Sequence, residues 1–336
     1  DGGLKRMQDG YLMQSNEKRL MLFSGRGYPD LAENIADRLD MHLGEVELQQ
    51  FSNGEMYARY LESVRGADMF IVQSLGEPVN KHLMELLIMI DAAKRASAKR
   101  ITAVIPWYAY SRQDRKTKPR EPITARLVAS MIRTAGAERV MTMDLHVGQI
   151  EGFFSFPVDH LTAMHTFVDY FVDAGFRGAD DAVVVAPDVG EARVANKLAD
   201  HLDLPWAILR KQRSGPGQSE VTHVIGDVEG RRVIMIDDLI DTAGTLCNAA
   251  ERLISEGATE VSACGTHAVF SGPAYERIDE SHLKEVVVTD TLPLKSGEPQ
   301  SKIKTLTIAP ILASTINNVF TDASVSEVFM GENQLF

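Results

Sequence analysis

The residues best placed to do chemistry lie at 234–245, IMIDDLIDTAGT. An apolar, β-branched run delivers two carboxylates, Asp237 and Asp238, to the C-terminal edge of a sheet, where open α/β folds bind ligands. Asp241, Thr242, Ala243, Gly244 and Thr245 follow at once, all small or polar. Their backbone N–H groups and hydroxyls can wrap a phosphate, and a helix starting near Thr245 turns its positive end toward it. Acids beside a phosphate make sense once their roles are separated. Asp237 and Asp238 accept hydrogen bonds from sugar hydroxyls while the loop holds the phosphate. A helix cap in a solvated acidic turn explains one Asp or Thr, not five such residues behind an apolar strand.

Other clusters are less specific taken alone. His146 in MDLH (143–146) follows a strand end beside Asp144, and a neutral imidazole can ligate a metal. Magnesium prefers oxygen, so such a site needs phosphates to complete it, and a lone histidine is more often structural. The densest basic run, PWYAYSRQDRK at 106–116 with Lys118 and Arg120 beyond, mixes cations with aromatics. Guanidinium groups there can stack on a base or reach phosphate oxygens, although charge runs are usually solvated loops. Lys211, Gln212 and Arg213 open the segment SGPGQSE at 214–220, whose Gly and Pro predict a mobile loop suited to a water-excluding lid. Phe51, Asn53 and Glu55 in FSNGE read as a turn and no more.

The elements that must position these groups are legible as short unalternating apolar runs at 68–73, 101–105, 182–186, 232–236, 261–264 and 285–289, as buried parallel strands require. Amphipathic helical stretches lie between them. At 29–40, Leu31, Ile35 and Leu39 share a face behind Pro29; at 81–96, Leu83, Leu86, Leu87 and Ile90 do the same. The alternation predicts a mainly parallel sheet covered by helices. The pattern also repeats. IADRLD (35–40) returns as LADHLD (198–203), RGADMFIVQS (65–74) as EGRRVIMIDD (229–238), and AKRITAVIPWYAYS (98–111) as ATEVSACGTHAVFS (258–271), always about 160 residues on. Three collinear matches predict a duplicated α/β domain: 18–163, then 164–330, after a flexible stretch at 1–17. Where the second copy has IDDLIDTAGT the first has VQSLGEPVNKHL, so only one copy keeps the phosphate loop.

With 336 residues, 44% hydrophobic and 24% charged, the chain can bury two cores. Its net charge of −12 argues against sequence-independent nucleic-acid binding, though not against a small locally basic nucleotide site. Neither a secretory h-region nor a membrane-length apolar run is seen, and two cysteines without CxxC spacing suit a reducing, cytoplasmic setting.

VIMIDDLIDTAGT resembles the phosphoribosyl-diphosphate signature of type I phosphoribosyltransferases and of ribose-phosphate diphosphokinases (phosphoribosyl pyrophosphate synthetases, class I-like). MDLHVGQIEGFF is similar to the latter's MDLH–QIQGFF, with Glu151 where Gln is usual, and YSRQDRK is similar to its Y-x-RQDRK. The resemblance runs from Phe23 to about Phe329. It implies two type I phosphoribosyltransferase-like domains and transfer of the β,γ-diphosphoryl group of ATP to the C1 hydroxyl of ribose 5-phosphate for nucleotide biosynthesis. By the same resemblance, Phe51, Asn53, Glu55, Arg112 and Gln113 contact ATP. His146 and Asp188 hold Mg2+, and Lys211 and Arg213 are the catalytic basic pair. Arg213, Asp237, Asp238 and residues 241–245 take ribose 5-phosphate, and Ser63, Arg65, Ser324 and Ser326 match regulatory anion positions. The loop after Asp188 is one residue short and carries Glu191 where a second Gly is common. The 51–55 loop reaches a neighbouring subunit in that family, implying a homo-oligomer, a hexamer built of dimers, with no nucleic-acid or membrane partner. A type I phosphoribosyltransferase would need one domain and no ATP loop. A non-catalytic regulatory homologue would lack Lys211, Arg213, His146 and the DTAGT loop, all present here.

Overall fold

A computed structural model describes residues 18–215 and 218–325, without side chains for 211–222. The first half runs β1 (Leu20–Ser24), α1 (Pro29–Arg38), the hairpin β2 (Val46–Gln50) and β3 (Met56–Tyr60), β4 (Asp68–Val72), α2 (Val79–Arg95), β5 (Arg100–Ile105), α3 (Thr124–Ala135), β6 (Arg139–Met143), β7 (Val158–Leu161) and α4 (Met164–Asp173). The second repeats it: β8 (Ala182–Ala186), α5 (Ala192–Leu202), the hairpin β9 (Trp206–Gly215) and β10 (Gln218–Ile225), then β11 (Arg232–Ile240). It closes with α6 (Gly244–Ser255), β12 (Glu260–Ala268), α7 (Ala274–Glu280), β13 (Glu285–Thr289), β14 (Ile303–Leu306) and α8 (Ala309–Thr321).

The sheet order β1-β4-β5-β6-β7, parallel throughout, reappears as β8-β11-β12-β13-β14. One difference separates the copies. The second hairpin extends its sheet, with β9 beside β8, whereas β2 and β3 form a separate two-stranded ribbon. Strands buried on both faces explain the unalternating sequence: all five residues of β4 and of β8 are buried. Two sequence expectations shift. β11 continues through the acidic pair to Ile240, and of 214–220 all but 216–217, which lie outside the described residues, belong to β9 and β10.

The halves pack reciprocally, as an approximate twofold requires: α1 on α8, and α4 on α5. One apolar cluster takes Leu22, Phe70 and Val104 from the first sheet, Val184, Ile234 and Val287 from the second, and Phe167 and Phe171 from α4. Near the axis Trp107 packs at a tilt of 53° against His267, which occupies the equivalent position in the repeat, with ring centroids 4.5 Å apart. The reciprocity extends to the loops that close the strands. Asp144 N–H donates to Leu161 O (2.8 Å) and its Oδ2 accepts Ala163 N–H (2.9 Å). Asp290 N–H donates to Leu306 O (3.0 Å) and its Oδ1 accepts Ile308 N–H (2.7 Å).

A buried polar seam joins the copies. Asp144 Oδ2 accepts the Thr266 hydroxyl at 2.6 Å, and His267 Nε2–H donates to Asp144 O at 3.0 Å. His267 Nδ1 faces the Thr291 hydroxyl at 3.0 Å, and Ser74 donates to Thr291 O. Burial pushes His267 down to about 4, so it is neutral at pH 7 and fits these partners. The unfolded histidine takes a proton near 6.5 and the folded one only near 4. Its contribution to stability is therefore complete above pH 6.5 and lost as pH falls toward 4, on the order of 3 kcal/mol. Asp144, raised to about 6 mainly by burial, acts in the opposite sense, since the folded carboxyl takes its proton first. The comparison with His267→Gln isolates the histidine: between pH 7 and 5 the wild type should lose more urea resistance than the variant. Equal losses would mean His267 protonates in the folded chain.

Candidate active site

The strand that sequence reading singled out ends at one wall of a cleft. β11 carries Asp237 and Asp238, the chain turns at 241–243, and α6 begins at Gly244, pointing its free N–H groups back over the turn. Ala243 holds a left-handed φ of 56°, a conformation that costs a residue with a Cβ, directly before the helix. Arg277, from α7, donates to Thr242 O at 3.0 Å and braces the turn from behind.

His146, Asp188, Asp237 and Asp238 line this cleft of about 260 Å³ together with Arg112 and all of residues 241–245. These residues come from both halves. Asp238 is almost wholly buried (2% exposed) and its Oδ2 meets His146 Nδ1 at 2.6 Å. That carboxylate holds the imidazole from the other half and lines the cleft as well. If Nδ1–H donates to it, the lone pair sits on Nε2, the tautomer a metal-ligating histidine needs. The hydrogen bond to Asp238 outweighs burial and raises the His146 pKa. Burial pushes Asp238 up, yet His146, the hydrogen bond with Asp237 and the nearby His267 together hold the group below the ordinary carboxylate value. Asp237 goes the other way. Burial first, then the charges of Asp238 and Glu191, push it well above the usual range. Glu191, at the N-cap of α5, joins the pair: one ligand atom from each of Glu191, Asp237 and Asp238 lies within 4.8 Å of the others. Carboxylates crowded in this way, with Asp188 beside the cleft, suit a hard divalent cation that prefers oxygen.

The basic run borders the cleft from the first half. Arg112 forms an ion pair with Asp241 at 2.7 Å, linking that run to the 241–245 loop. It also lines a neighbouring cavity of about 430 Å³ with Gln113, Tyr110, Trp107, Asn80 and Lys81. Gln113 Oε1 accepts the Thr124 hydroxyl at 2.6 Å. Other predicted residues stand apart. Phe51, Asn53 and Glu55 form the β2–β3 turn, closed by Phe51 N–H to Glu55 O (2.8 Å), with Gly54 at φ 93°; Phe51 is 48% exposed and lines neither cavity. Ser63, Arg65 and Ser324 are exposed and away from the cleft; Arg19 donates to Ser63 O at 2.5 Å, and Asn318 to Ser324 O at 2.8 Å. Ser326 and residues 1–17 lie outside the described residues. Lys211 and Arg213 are on β9, paired with Val221 and Ser219, but their side chains are outside the description.

Sequence reading missed Glu191 as a member of the acidic group, Arg277 as the brace, and Asn80 and Lys81 beside Arg112. Asn80 and Lys81 were signalled: they fall in VNKH, where the first copy replaces the phosphate loop. Arg277 sits in no motif and becomes meaningful only once α7 is placed against α6.

Residues 20–136 match the family model described as the N-terminal domain of ribose phosphate pyrophosphokinase. Residues 214–330 match the phosphoribosyl synthetase-associated domain. The chain is 52% identical over 320 residues to the ribose-phosphate pyrophosphokinase of Clostridium acetobutylicum, covering 95% of this chain and 100% of that protein. It is 51% identical over 314 residues to that of Fusobacterium nucleatum, covering 94% and 99%. The crystal structure of phosphoribosylpyrophosphate synthetase from Mycobacterium smegmatis superposes with a TM-score of 0.86 at 47% identity, covering 91% of this chain and 100% of that one. Identity of this level over nearly the whole length, on this two-copy fold, places the chain in the ribose-phosphate pyrophosphokinase family of enzymes.

Proposed function

We propose that this chain transfers the β,γ-diphosphoryl group of ATP to the C1 hydroxyl of ribose 5-phosphate, giving 5-phosphoribosyl 1-diphosphate and AMP. The observation that carries this reading is the Arg112–Asp241 contact, which brings the basic run of one copy to the phosphate loop of the other. A sugar-phosphate site alone would need only the second copy.

In this reading the amides and hydroxyls of Asp241, Thr242, Ala243, Gly244 and Thr245 take the 5-phosphate, and Asp237 takes the ribose hydroxyls. Arg112 and Gln113 orient the nucleotide in the adjoining cavity. The C1 oxygen attacks the β-phosphorus as the bond to the α-phosphate oxygen breaks, AMP departs, and the hydroxyl proton passes to solvent. Little covalent work falls to the protein, so positioning and neutralisation of phosphate charge supply most of the rate. His146 and Asp188, with Asp237 and Glu191 near, would hold Mg2+, which neutralises charge on the phosphates. Asp238, beside Asp237 at the ribose, also holds His146. Lys211 and Arg213, on the hairpin beside β8, would stabilise charge on the group in transit.

The exposed Phe51 turn, lining neither of the two cavities described above, supports a homo-oligomer, hexameric as the resemblance implies, in which Phe51, Asn53 and Glu55 contact adenine in a neighbouring subunit. Ser63, Arg65, Ser324 and Ser326 would take a regulatory anion. The unpaired thiols of Cys247 and Cys264 suit the cytoplasm.

Phosphorus NMR of the protein with ATP, Mg2+ and ribose 5-phosphate should show AMP and a new C1 diphosphate. ADP alone, or no turnover, would contradict the reaction. Lys211→Ala should lower kcat by at least about a hundredfold while ATP affinity, measured by calorimetry, stays within about threefold. Parallel losses in both would assign Lys211 to nucleotide binding instead.

A further inference from the structure

The segment bearing His146 is held from two sides, and only one of them is the seam with the second half. On the seam side Asp144 is fixed by Thr266, Ala163 and His267. On the other, the next residue, Leu145, donates its backbone N–H to Nε2 of His160 at 2.8 Å. His160 lies on β7 and is 3% exposed. An amide N–H can only donate, so Nε2 carries the lone pair and the ring proton is on Nδ1. That Nδ1 sits 2.6 Å from Glu151 Oε1, on the 3-10 turn Gly148–Phe153, and Nδ1–H therefore donates to the carboxylate. The chain of bonds runs in a single direction: Leu145 N–H to imidazole to carboxylate.

We propose that Glu151 and His160 are positioning residues that set the direction of His146. They do so by selecting the His160 tautomer and through it fixing the peptide between Asp144 and Leu145. Without an acceptor at Glu151 the buried imidazole is free to move its proton to Nε2, which then confronts the Leu145 N–H donor to donor. The peptide must rotate or lose its bond, and His146, one residue on, moves with it away from Asp238. Asp144 already sits at an unfavourable φ of 27°, so the loop holds this path only because both sides constrain it. The inference rests on the reading of His146 as a metal-holding group. It adds two residues with no contact to that metal.

Three variants test it: Glu151→Leu, Glu151→Gln and His146→Ala, each checked for an unchanged thermal unfolding midpoint. Glu151→Leu should speed hydrogen–deuterium exchange of the peptide spanning 143–147. It should also weaken the apparent Mg2+ affinity about tenfold, with KM for ribose 5-phosphate within about twofold. Glu151→Gln keeps an acceptor oxygen in the same place and should restore both. Unchanged exchange in Glu151→Leu, or a Gln variant as impaired as the Leu variant, overturns the proposal. His146→Ala reads the underlying assignment separately. A normal Mg2+ dependence there, with loosened exchange in Glu151→Leu, would overturn the metal reading and leave the tautomer relay standing.

Discussion

Everything in the site depends on one buried contact, the Thr266 hydroxyl on the Asp144 carboxylate. Asp144 ends a strand of the first sheet and Thr266 belongs to β12 of the second, both fully buried. The Ala163 amide also donates to Asp144 Oδ2 and the His267 ring to the Asp144 backbone O, while Asp144 Oδ1 has no hydrogen-bond partner among the described residues, a cost that fits the raised pKa of this buried carboxyl. The geometric consequence matters more than the energy. It holds the loop carrying His146 against the strand carrying Asp238, so two halves of one duplicated chain present a single cleft.

Duplication explains why the seam exists and how its two sides came to differ. At equivalent positions MTMDLH of the first copy faces VVTDTL of the second, so His146 corresponds to Leu292 and Asp144 to Asp290. Ser74 corresponds in turn to Asp238. The contacts on the two sides of the axis are one residue out of step: Ser74 donates to Thr291 O, whose counterpart is Leu145, whereas Asp238 meets His146. Both anchor aspartates still tie down their own strand ends with matched backbone bonds. One side is structural polar packing; the other is an imidazole–carboxylate pair beside the 241–245 loop.

Much of this was legible before any coordinates. The acidic pair and its loop announced themselves because a run of small polar residues behind an apolar strand has few structural explanations. The six apolar runs all proved to be strands, since residues buried on both faces leave no alternation to misread. The repeat was visible because its helices and strands keep their spacing. The contact of Asp238 with His146 was hidden, since an acid beside an acid reads first as a matched pair of sugar ligands. Its burial against a histidine 92 positions earlier is a tertiary fact. Glu191 was noticed only as an oddity, because its meaning depends on α5 starting within reach of β11. β9 and β10 were obscured by Gly215, Pro216 and Gly217, which mark a hairpin tip as readily as a loop.

The division of labour between the copies is best tested by a crystal structure of the protein with ribose 5-phosphate, Mg2+ and a non-transferable ATP analogue. The expected result has the 5-phosphate on the amides of Thr242, Gly244 and Thr245, the nucleotide phosphates beside Arg112 and Gln113, and the C1 oxygen facing the β-phosphorus near His146. Both ligands bound to one half, or the sugar phosphate outside the 241–245 loop, would contradict it.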